Sequence, residues 1–124
     1  MSNLDEFSKV NIPGFDIEAA KEYNDGDFDS CRVRLMMVGE YMPELIDNCK
    51  NYIANGDYKG YTVEIHAIKG NVLGAGFKEL SAKAKDQEMA GKEGRFDYIN
   101  ETSEKVFEEL AAMAADIRDF LANN

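Results

Sequence analysis

Histidine occurs once in these 124 residues, proline twice and cysteine twice. With no second histidine and no CxxC pair, a zinc or dithiol redox site has nothing to build on. Two prolines, against 44% hydrophobic and 31% charged residues, exclude the composition of a disordered chain. No apolar run approaches the roughly 20 residues of a membrane span. The start, Met1-Ser2-Asn3-Leu4-Asp5-Glu6, lacks the basic-then-apolar pattern of a signal peptide, so a cytoplasmic address is expected. Basic residues are scarce as well: 14 against 24 acidic ones, a net charge of −10, where a nucleic-acid backbone demands a basic surface. Also missing are any alternating strand pattern, internal repeat or low-complexity tract.

What is present is helical periodicity. Residues 1–15 form a mixed, uncapped lead-in that turns at Pro13-Gly14, and residues 16–124 form one domain. Asp16 is placed to cap a short helix, Ile17–Tyr23, broken by Asn24-Asp25-Gly26-Asp27. From Phe28 to Ala54, Cys31, Leu35, Val38, Met42, Leu45, Cys49 and Tyr52 step by four and three without interruption. That stripe predicts one long helix, kinked and not broken at Pro43. Cys31 and Cys49, 18 positions apart on it, are roughly 27 Å apart, beyond disulfide reach, and are expected buried and reduced. Asn55-Gly56 ends the helix and Asp57 caps the next, which runs to Gly74-Ala75-Gly76. A further helix is expected from 77 to about 90, with Phe77, Leu80, Ala84 and Met89 facing inward. The last, Phe96–Ala122, places Ile99, Val106, Leu110, Met113, Ile117 and Phe120 on one seam. Four amphipathic helices on short connections predict an all-α fold, an antiparallel up-down four-helix bundle with a short extra N-terminal helix.

The lone histidine stands in the second long helix. Tyr58, Tyr61, Ile65, Ile68 and Val72 form its buried stripe, and His66 lies about 100° off it. On the same face are Thr62, Lys69, Gly70 and Leu73. A glycine within a helix costs roughly 1 kcal/mol against alanine. Side chains lean toward the helix start, so one at position 70 would lie over the imidazole; glycine leaves the ring bare, while Lys69 brings a cation to its edge. The segment 58–95 holds seven basic and five acidic residues in a chain of net charge −10, as a site receiving an anion or an acidic surface requires. Leu73, with the histidine's exposure, and Thr62 suit a docking rim for a partner, and Met36 and Met37, at the stripe's edge, suit an adaptable docking surface.

The run His66-Ala67-Ile68-Lys69-Gly70, with Gly76 ten positions after the histidine, resembles the histidine-phosphotransfer signature H-x-[LI]-K-G-x5-G. Tyr61-Thr62-Val63-Glu64-Ile65 before it, Glu79-Leu80-Ser81-Ala82-Lys83-Ala84-Lys85 and Glu88-Met89-Ala90-Gly91-Lys92-Glu93-Gly94 after it, and the opening Ile12-Pro13-Gly14-Phe15-Asp16 are similar to bacterial members of that family. Ile68, Gly74 and Phe77 depart from its commonest residues. The resemblance implies a four-helix bundle in a phosphorelay, a phosphocarrier and not an autonomous enzyme. His66 is then the phosphoacceptor, Lys69 the charge partner of the phosphoryl group, Gly70 the steric clearance and Gly76 a structural turn. It implies response-regulator receiver domains and a hybrid histidine kinase as partners, a monomer, and no cofactor of its own, the magnesium ion coming from the receiver. A helical interaction module with an unused histidine, or the phosphoacceptor domain of a chemotaxis-type kinase, are the alternatives.

Overall fold

The computed structural model describes residues 3–123, and side chains from residue 6 onward; the first two residues of the lead-in and the last of the expected domain lie outside the described residues. The chain is all-helical, with no strand among the described residues. Its elements are α1 (Asn3–Ser8), α2 (Ile17–Tyr23), α3 (Phe28–Ala54), α4 (Tyr58–Gly74), α5 (Lys78–Lys92) and α6 (Phe96–Ala122). Each of the four long helices packs chiefly on two others: α3 on α4 and α6, and α5 on α4 and α6. No helix among the described residues is long and apolar enough to cross a membrane.

Local chemistry sets the helix starts. Asp16, Asp27 and Asp57 accept the backbone N–H of Ala19, Asp29 and Gly60 at 3.0, 3.1 and 2.9 Å, meeting donors that the first helical turn leaves unpaired. Within α3 the buried residues are Phe28, Cys31, Leu35, Val38, Gly39, Met42, Ile46 and Cys49. The heptad stripe therefore drifts: Ile46 is buried where Leu45 is only half-buried, as a 3.6-residue turn requires over a helix of this length. Cys31 and Cys49 are fully buried and free, and burial raises their thiol pKa values to about 11 and about 12.

Pro43 leaves α3 unbroken. Proline cannot donate to the carbonyl of residue 39, and that carbonyl instead accepts Nη1 of Arg118 from α6 at 2.7 Å. Gly39 permits the approach, since a Cβ there would stand 3.1 Å from Ile117 Cγ2.

The lead-in contains more structure than its sequence announces. α1 has no cap signature and only 6 residues, too few to hold a helix by local bonds. Burial of Phe7, edge-on to Phe28 at 5.2 Å, ties the segment to the core, and Val10 and Ile12 are buried beyond it. α2 is fastened to the end of α4. The Asp16 amide donates to the Gly76 carbonyl at 2.7 Å, and the Asn24 side chain donates to the Gly74 carbonyl at 3.0 Å. Gly76, with φ of +99°, could carry no side chain here, because Phe15 and Ala20 occupy the space of its Cβ.

Candidate functional site

In α4, Tyr61, Ile65, Ile68 and Val72 are fully buried, which turns His66 away from the core: its side chain is 63% exposed. One edge of the ring is nevertheless held. Nδ1 lies 2.6 Å from Oε2 of Glu88 on α5, a carboxylate only 3% exposed. Lys69 Nζ stands 2.7 Å from the other oxygen, Oε1, and Lys92 Nζ 3.1 Å from Oε2.

Two seams direct Glu88 at the imidazole. Tyr61 on α4 donates to Gln87 Oε1 at 2.7 Å, and Gln87 Nε2 donates to Thr102 on α6 at 2.7 Å, so the residue before Glu88 is tied to both neighbouring helices. One turn onward, Thr62 occupies the space that a side chain at Gly91 would take. The α4 and α5 backbones therefore meet closely beside the site.

Burial by itself would push the Glu88 carboxyl upward, but hydrogen bonds from Lys69, Lys92 and His66 outweigh it and hold the group at about 2, below its ordinary 4.5. An ionised carboxylate only accepts, so the proton between Glu88 and His66 sits on Nδ1. The neutral ring then carries its lone pair on Nε2, on the edge away from Glu88. The arrangement is a nucleophilic nitrogen facing solvent, with a buried carboxylate able to stabilise positive charge as it develops on the ring.

The other expected site residues fall into separate places. Lys69 is half-buried and engaged with Glu88, not extended into solvent beside the ring. A Cβ at Gly70 meets open space, so clearance there concerns side chains longer than alanine. Thr62 donates to the Tyr58 carbonyl at 2.7 Å and is half-buried in the α4–α5 seam. Leu73, also half-buried, lines a cleft with Glu18, Glu22, Tyr23 and Lys78. Met36 and Met37 are exposed but diverge: Met37 lines a groove with Tyr41, Leu45 and Asn71, between α3 and α4, and Met36 one with Arg118 and Leu121, between α3 and α6.

Glu88 is the residue of the candidate site that hydrophobic patterning misses. Met89, expected inside, is exposed, and Glu88 points inward instead. Phe77, Ser81, Ala84, Glu88 and Gly91 step by four and three, so a signal exists, but one written in small and polar residues. Among the described residues no three His, Cys, Asp or Glu side chains are grouped to hold a metal ion. Compared with known proteins, the chain matches no family model, no curated protein and no solved structure.

Proposed function

We propose that this chain is a phosphorelay intermediate of the histidine-phosphotransfer kind, a phosphocarrier and not an autonomous enzyme. Its helices α3 to α6 form an antiparallel up-down four-helix bundle, with α2 as an extra short helix against the end of α4. The observation that carries the reading is the His66–Glu88 pair: the only histidine, 63% exposed, with Nδ1 2.6 Å from a buried carboxylate, which favours the tautomer whose lone pair is on Nε2.

The Nε2 lone pair attacks the phosphorus of an aspartyl phosphate on a receiver domain in line with its acyl oxygen. The Nε2–P bond forms, the P–O bond breaks, and the aspartate carboxylate leaves with the bonding pair. The ring retains its Nδ1 proton, and its new positive charge is balanced by Glu88. In the return step a second receiver's aspartate attacks phosphorus, and the imidazole leaves as the neutral Nδ1–H form. Charge on the transferring oxygens would be met by a magnesium ion held by the receiver, this chain supplying the nucleophilic nitrogen and its positioning. A cytoplasmic monomer exchanging with receivers and with a hybrid histidine kinase fits these roles.

Incubation with a phosphorylated receiver should transfer an acid-labile, base-stable label, lost in His66→Gln. Label that persists in that variant would sink the assignment. Gly70→Gln should slow transfer at least about tenfold by covering the approach to the ring. Its stability should equal or exceed the parent's by up to about 0.5 kcal/mol, because helix propensity improves and the position is open. An unchanged transfer rate would refute the clearance argument.

A further inference from the structure

Two ammonium groups reach Glu88, and they are held differently. Lys69 makes the shorter contact, 2.7 Å to Oε1, with its side chain 26% exposed. Lys92, in the last turn of α5, makes the longer one, 3.1 Å to Oε2, and is 59% exposed. Oε2 also takes the His66 Nδ1 proton at 2.6 Å. Sharing one acceptor places the Lys92 ammonium within about 6 Å of the imidazole Nδ1.

A phosphoryl group on Nε2 brings up to two negative charges beside this cluster. Withdrawing Lys69 to meet it would strip a buried carboxylate of its shorter charged bond and move a half-buried side chain. Withdrawing Lys92 gives up the longer of the two contacts, made by the more exposed side chain, and Glu88 keeps both Lys69 and His66. The lysine's flexible stem allows the turn.

We propose that Lys92, and not Lys69, is the cation that binds the phosphoryl group carried by His66, while Lys69 is the fixed counter-ion of Glu88. The proposal rests on His66 being a phosphoacceptor. The charged groups in contact with Glu88 from α4 and α5 are His66, Lys69 and Lys92.

The test needs no protein partner. Phosphoramidate loads an accessible imidazole directly: the Nε2 lone pair attacks phosphorus, the P–N bond of the reagent breaks, and ammonia leaves after taking up a proton. The second ionisation of the resulting phosphoryl group is then followed by phosphorus NMR in the full chain and its variants. A cation in contact with the oxygens favours the dianion, so Lys92→Met should move the midpoint up by about half a pH unit, and Lys92→Arg should restore it. Lys69→Met should leave the midpoint nearer the parent's than Lys92→Met does. The proposal is overturned if the Lys92→Met titration superposes on the parent's, or if Lys69→Met produces the larger shift. Absence of any phosphoimidazole signal in the parent overturns it together with the phosphoacceptor reading. Failure of receivers to label a chain that phosphoramidate does load removes the relay alone.

Discussion

In the proposed relay, Glu88→Ala is expected to slow phosphoryl transfer to His66 by about a hundredfold. The loss has two sources. Without an acceptor at Nδ1, the ring proton distributes over both nitrogens, and molecules protonated at Nε2 have no lone pair facing the donor. The positive charge that appears on the ring during attack also loses its counter-charge 2.6 Å away. Glu88→Gln keeps an oxygen for the Nδ1–H bond but not the charge, and should fall between, near a tenfold loss. Nitrogen NMR of the single imidazole reports the tautomer directly. An Ala variant within twofold of the parent rate would remove Glu88 from the mechanism.

The same residue should shape acid stability. Its folded-state pKa is depressed, so the unfolded chain binds the proton more readily, and stability falls as acidity rises. The contribution is fully present above the ordinary value of 4.5 and is lost as pH falls toward about 2. Chemical unfolding measured across that window should therefore decline more steeply for the parent than for Glu88→Gln.

Gly91→Ala is expected to destabilise the fold by about 1–2 kcal/mol, despite the better helix propensity of alanine. A Cβ at this position would stand 1.9 Å from Thr62 Oγ1 and 3.0 Å from its Cβ. Threonine is branched at Cβ, so turning the hydroxyl aside brings its methyl group into the same space. The helices must separate, which lowers the melting temperature by roughly 4–8 °C in a domain of this size. Separation also lengthens the His66–Glu88 contact, so transfer should slow along with the loss of stability. Thr62→Ala added to Gly91→Ala should restore part of both; a melting temperature at or above the parent's in the single variant would refute the close-packing account.

Helix ends and the exposure of His66 are legible in the sequence because short-range chemistry writes them. Asp16 and Asp57 cap as their types suggest, and Tyr61, Ile65, Ile68 and Val72 bury one side of α4 so that the histidine turns outward. What is not legible depends on residues distant in sequence. α1 is held by Phe7 against Phe28, which no local propensity reports. Gly74 reads as a weak point of α4, yet a Cβ there would stand 3.0 Å from Tyr23 and 3.2 Å from Arg34. Glu88 is hidden for a different reason: a carboxylate counts against burial until the Lys69, Lys92 and His66 donors around it are known.

The two buried thiols near opposite ends of α3 make the protein its own clock. Thiol reagents attack the thiolate, and burial that lifts Cys31 to about 11 and Cys49 to about 12 suppresses that form in the native state. Modification at neutral pH must therefore wait for the helix to open around each sulfur. The labelling rate at Cys31 times openings near the start of α3, and the rate at Cys49 times those near its end. Equal rates would mean that the chain opens as one cooperative unit; unequal rates would rank its two ends by how often they come apart.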